Sequence, residues 1–159
     1  VNREAISMTG LLLLNDIRSR FLDLNIEMRD LDIFNYPGNG RHYSEDERRL
    51  VRRYWDEIVF HEYIMCMEFQ GGLLASQWED FYKPLISRSL NHDILRQEYA
   101  VFRKNEVYRT QIGLRFFAEI DALLNLGEPE WEQALAAREV DLKRRAEQDA
   151  TLNAGKPRE

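Results

Sequence analysis

Glu57, His61 and Glu62 bring two carboxylates and an imidazole together within one short segment. These are the residue types that ligate metal ions or exchange protons. Their spacing narrows the chemistry. Glu57 to His61 is a single i,i+4 step. Di-metal carboxylate bundles use Glu-x-x-His at i,i+3, twice, and no such second copy stands in this chain. No second histidine follows His61 at the spacing of a zinc-protease helix. His42 and His92 lie beside turn formers without matching carboxylates.

Glu62 is the most informative of the three. On a helix, Val51, Trp55, Ile58, Met65 and Phe69 form one apolar face, and Glu62 falls on it between Ile58 and Met65. A carboxylate there is costly unless it is paired, and otherwise it keeps its proton. The simplest expectation is a buried ion pair between Glu62 and Arg109 or Arg115, on the helix that carries Phe116. Glu62→Gln would then cost stability. The other readings are a metal site of Glu57, His61 and Glu62, or a small-ligand pocket centred on Glu62 and His61.

Arg48, Arg49, Arg52 and Arg53 form two i,i+4 basic rows around Leu50 and Val51. Such rows can meet anionic lipid headgroups or nucleic acid. They can equally be a solvated face, with Glu45 supporting Arg49. The formal net charge of −6 argues against nucleic acid, because no excess positive charge is available for phosphates. Pro37-Gly38-Asn39-Gly40 has neither the preceding strand nor the following Lys-Ser/Thr of a phosphate-binding loop. Cys66 and His61 diverge on a helix, which removes a Cys/His nucleophile pair. No catalytic residue and no cofactor is expected, and the lack of a catalytic motif favours a non-enzymatic reading over an enzymatic one.

The elements that position these residues are helices. A first helix is expected over residues 3–31. Its apolar residues Leu14, Ile17, Phe21, Leu24, Met28 and Leu31 recur at steps of three and four. Residues 32–43 hold the turn formers. Ser44, with Glu47 three residues on, is a capping box for a second helix over 45–70. A short helix through Trp78, Phe81 and Tyr82 should break or restart at Pro84. A helix opened by Asn91 and Asp93 and running through Ile94, Leu95, Tyr99 and Phe102 follows, then one over about 106–124, with Gly113 allowing close approach. Pro129 suits the first turn of a last helix. The eight aromatic residues Trp55, Trp78, Phe81, Tyr82, Tyr99, Phe102, Phe116 and Phe117 are expected in the core.

The fold class is therefore all-α: an irregular bundle of three long helices and two or three short ones. Residues 1–127 form the bundle, 128–150 a C-terminal amphipathic helix, and 151–159 a disordered tail. With 159 residues, 44% apolar and 31% charged, the chain suits one globular domain with a real core. A single cysteine forms no intrachain disulfide and fits a reducing, cytoplasmic setting. Leu11–Leu14 is the longest apolar run near the start, far short of the ~20 residues that span a bilayer.

Between Arg53 and Phe117, the residues Tyr54-Trp55, Glu62-Tyr63, Phe69-Gln70-Gly71-Gly72-Leu73-Leu74, Trp78 and Pro84 resemble uncharacterised bacterial helical domains that follow an N-terminal membrane anchor. The resemblance implies an all-helical cytoplasmic domain behind a tether, and no activity. Any such anchor would lie upstream of Val1. The functional expectation is an interaction or oligomerisation domain that meets a protein partner or a second copy of itself. Self-association is expected at the upstream end of the first helix, around Ser7 and Gly10, or on the last helix.

Overall fold

The computed structural model describes residues 8–31, 33, 42–62, 65–66, 75–108 and 110–155, and every regular element among them is helical. Helix α1 (Met8–Asp30) buries Leu14, Ile17, Phe21, Leu24 and Met28, the stripe read from the sequence. The stripe does not continue to Leu31, which is exposed. The helix ends at Asp30, the Ile33 N–H donates to the Met28 carbonyl at 3.0 Å, and Ile33 turns inward instead.

Helix α2 (Glu45–Glu62) starts on the expected capping box. The Ser44 N–H donates to Glu47 Oε1 at 3.0 Å, and the Glu47 N–H donates to Ser44 Oγ at 3.1 Å. Two otherwise orphaned donors are satisfied, and Glu45, Asp46 and Glu47 suit the positive end of the helix dipole. The described α-helical part ends at Glu62, Met65 and Cys66 adopt a π turn, and the expected end at Gln70 lies outside the described residues.

Helix α3 (Ala75–Gln77) runs straight into a π turn (Trp78–Tyr82) and then into α4 (Lys83–Ser89). Pro84 thus neither breaks nor restarts the path. Proline removes one N–H and its ring crowds the carbonyl four residues back. The wider π turn absorbs both, with the Lys83 N–H reaching the Trp78 carbonyl.

Helix α5 (Asp93–Lys104) follows His92. The expected single helix over 106–124 is split into a 3-10 turn (Glu106–Tyr108) and α6 (Gln111–Leu124). Thr110 competes for the backbone and wins: extended itself, it accepts from the Gly113 N–H through Oγ1 at 3.4 Å. Asn125 closes α6 in the left-handed region, φ 51°. Helix α7 (Glu128–Ala154) carries Pro129 in its first turn, and the Gly127 N–H donates to Glu130 Oε2 at 2.9 Å. It continues through Ala154, beyond the expected end at residue 150, so residues 151–154 are helical.

Aromatic rings join the helices across the core. Phe21 of α1 meets Tyr54 of α2 at 5.6 Å, Trp55 meets Tyr99 of α5 at 4.9 Å, and Tyr99 meets Trp131 of α7 at 4.8 Å. Trp55 Nε1 also donates to the Leu95 carbonyl at 3.1 Å. Trp131 and Ala134 place the first half of α7 in this core rather than outside the bundle. Of the eight expected core aromatics, Phe81 alone is exposed.

Candidate functional site

The four arginines of α2 do not share a surface. Arg48 is 0% exposed and leaves the proposed basic patch. It sits one turn before Val51 on the stripe Val51, Trp55, Ile58 and Glu62, so the helix that buries those residues must bury it too. Two buried acids receive it. Arg48 Nη2 donates to Asp141 Oδ2 of α7 at 2.5 Å, and Arg48 Nη1 lies 3.5 Å from Glu98 Oε1 of α5. Gln97 Oε1 accepts a further bond at 3.1 Å. Glu98 is also met by Arg138 Nε at 3.1 Å and by Arg52 Nη1 at 3.4 Å, while Arg52 Nη2 donates to Glu45 at 2.6 Å.

Burial pulls the Asp141 carboxyl up, but hydrogen bonds from Arg48, His42 and the Tyr43 N–H outweigh it and hold it below the usual carboxylate range. Arg52 is half-buried and engaged, leaving Arg49 and Arg53 as the outward pair. These two approach acids, Asp46 at 3.7 Å and Glu27 at 3.8 Å. The surface they share is therefore mixed in sign, which removes the basis for attracting polyanions.

Glu57, His61 and Glu62 are brought near one another by α2, and α6 completes their surroundings. Glu62 is buried, and Arg115 Nε stands 3.7 Å from its Oε1. That is an ion-pair distance, too long for a hydrogen bond. The same Nε donates to Glu119 Oε1 at 3.1 Å, and Trp78 Nε1 donates to Glu119 Oε2 at 3.2 Å. Arg109 lies outside the described residues. Burial pushes the Glu62 carboxyl up to about 8, with the neighbouring Glu119 adding to the rise and Arg115 and Lys83 opposing it.

His61 is buried between the rings of Phe21 and Tyr82. Burial lowers its pKa, against the opposing pull of Glu57 at 3.2 Å. Tyr82 and Cys66 are both pushed up by burial, to about 12 and about 11. A thiol protonated at neutral pH is a poor nucleophile. Among the described residues, no group of three or more His, Cys, Asp or Glu side chains is arranged to hold a metal ion. Glu62 is buried, Glu119 half-buried and Arg115 exposed, and the three offer no nucleophile with a base.

Sequence reasoning missed Glu98 and Asp141. Both occupy apolar-stripe positions, Glu98 between Leu95 and Phe102 and Asp141 after Trp131, Ala134 and Arg138. Opposite charges on the inward stripes of three helices were the available signal.

The outer side of α1 is the third notable feature. Leu12, Leu22 and Ile26 are 62%, 57% and 50% exposed, and Met8 and Leu11 are exposed beside them. Gly10, expected at a self-association face, is buried in the chain itself, and Ser7 lies outside the described residues. Among the described residues, no helix is long and apolar enough to cross a membrane. Comparison with protein-family models, with curated proteins and with solved structures finds no match.

Proposed function

We propose that this chain is a non-catalytic helical interaction domain, acting in the cytoplasm, that meets protein through the outer face of α1. The observation that carries this reading is the second apolar stripe on α1, exposed on the side away from the core. One helix with two apolar faces buries one of them in its own chain. The other exposes large aliphatic side chains, which marks an interaction surface. The buried charges support the same reading, since Arg48, Glu98 and Asp141 are spent on one another and join α2, α5 and α7.

A second reading, a small polar ligand held at Glu62 and His61, draws on the buried His61 Nδ1, which has no hydrogen-bond partner, and on the buried Glu62 carboxyl, which Arg115 approaches only at ion-pair distance. Contact with nucleic acid or anionic lipid through Arg49 and Arg53 has less support, because Asp46 and Glu27 neutralise them.

The test is a photo-crosslinking side chain placed at Leu22 in the full chain, in the cell that makes it, with Val107 as the exposed control. Adducts at position 22 that are absent at 107, and that vanish with Ile26→Glu, are the expected result. Equal adducts at both positions, or none at 22, overturn the reading.

A further inference from the structure

The outward residues of α1 keep a regular beat. Met8, Leu12, Asn15, Ser19, Leu22, Ile26 and Arg29 follow at steps of four and three, and all are exposed. This is the spacing at which two helices wind around each other. At roughly 100° per residue, the stripe lies about 160° around the helix from the buried residues Leu14 to Met28. Pairing through it leaves the core contacts of α1 intact.

We infer that the partner of this face is α1 of a second copy of the chain, set parallel and in register; this rests on the interaction reading above. The composition of the stripe is the first ground. Its apolar layers (Met8 and Leu12, then Leu22 and Ile26) bracket a polar middle (Asn15 and Ser19), and Arg29 lies beyond them in the last turn of α1. A second copy in register matches it layer for layer. Asn15 then faces its own counterpart, and in register each amide can donate to and accept from the other.

Charge complementarity is the second ground, and it selects the direction. Asp16, Asp23 and Asp30 flank the seam on one edge, and Arg18 flanks it on the other. In a parallel pair, Arg18 of each copy stands beside Asp23 of the partner subunit. In an antiparallel pair that keeps the apolar layers matched, Asp16 meets Asp16 and Arg18 meets Arg18. Opposite charges across a helix pair stabilise it and like charges oppose it. In the single chain Arg18 donates to Gln77 at 2.5 Å, an exposed contact that pairing exchanges for Asp23. The acidic edge also disfavours an anionic lipid surface as the occupant.

The test uses the full chain. Sedimentation equilibrium should show a monomer–dimer equilibrium with a dissociation constant on the order of tens of micromolar, a weak value that fits three heptads with two polar layers. Leu22→Glu should abolish the dimer while helicity and Tm stay those of the parent. Arg18→Asp and Asp23→Arg should each weaken it by roughly three- to tenfold, and the double exchange should restore it.

Ile26→Cys should oxidise to a covalent dimer, and the parent, with Cys66 alone, should not. Antiparallel pairing holds the two Ile26 positions roughly 27 Å apart. A dimer that crosslinks only when Ile26→Cys is mixed with Met8→Cys therefore overturns the parallel register and leaves the interaction reading standing. A monomer up to about 300 µM overturns the second copy as partner. The probe at Leu22 then decides separately whether the face meets another protein. Flotation with phosphatidylserine vesicles that is lost in Leu22→Glu, without dimer, overturns the inference in favour of lipid.

Discussion

Glu62 and Arg48 are both ionisable, both on the inward face of α2 and both buried, yet the structure treats them in opposite ways. Arg48 has carboxylates on two other helices within reach, whereas Glu62 has Arg115 at 3.7 Å and a second carboxyl, Glu119, as its neighbour. Arg48→Ala removes the cation that Glu98 and Asp141 share, leaving Glu98 to Arg138 and Arg52 and Asp141 to His42, and should cost up to about 3–5 kcal/mol in urea unfolding. A loss under about 1 kcal/mol would show that the cluster is not the clamp described. Glu62 carries the opposite expectation. Its folded pKa lies above the unfolded one, so the folded state holds the proton more tightly. Its contribution is fully present below about 4.5 and is lost as pH rises through about 8. The parent should therefore lose up to a few kcal/mol across that window, while Glu62→Gln should be nearly flat and the more stable protein above pH 8. An equal slope in both proteins would sink the assignment. The burial of Glu62 was legible in the sequence, because apolar residues bracket it. The burial of Arg48 was legible only by extending the same stripe one turn upstream, where four arginines within six residues suggested solvent instead.

Elements declared themselves where local chemistry and the global fold agree. The Ser44–Glu47 capping box is written into four residues and is present in the structure with both reciprocal hydrogen bonds. Ser44→Ala should cost about 1 kcal/mol and lower Tm by roughly 2–4 °C; no shift in Tm would mean that α2 is held by packing alone. Pro84 and Thr110 show the other case. The proline signals a break, but the π turn at Trp78–Tyr82 lets the helix pass through it. That turn is favoured by the burial of Trp78 and Tyr82, whose partners come from other helices and leave no trace nearby in sequence. Thr110 lies within an apolar-periodic stretch, and only its capping bond to Gly113 shows that the helix begins again there. The long α7 has a similar ambiguity. Its first half is anchored by Trp131, Ala134 and Asp141, and its end is almost wholly exposed. Removing residues 147–159 should leave Tm within a few degrees of the parent, whereas a chain ending at Gly127 should fail to fold.

At the scale of the whole molecule, α1 explains both how the chain folds and what it offers outward. Its inner stripe joins the ring contacts that run from Phe21 through α2 and α5 to Trp131. Its outer stripe exposes Leu12, Leu22 and Ile26. The inner stripe dominated the sequence pattern because its positions are uniformly apolar. The outer one is interrupted by Asn15 and Ser19, and its meaning emerged only once burial separated the two faces. Adjacent residues on α1 should therefore respond in opposite ways to a new charge. Phe21 packs against Tyr54, Tyr82 and His61. Phe21→Asp loses an aromatic core residue, worth about 3–5 kcal/mol, and buries a carboxylate as well, so the chain should be largely unfolded by circular dichroism at 25 °C. Leu22→Glu, one residue on, adds its charge to solvent and should keep the parent's helicity and Tm while losing association. A folded monomer from Phe21→Asp would mean that the inner stripe, not the outer one, is the interface, and the two faces of α1 would have to exchange roles.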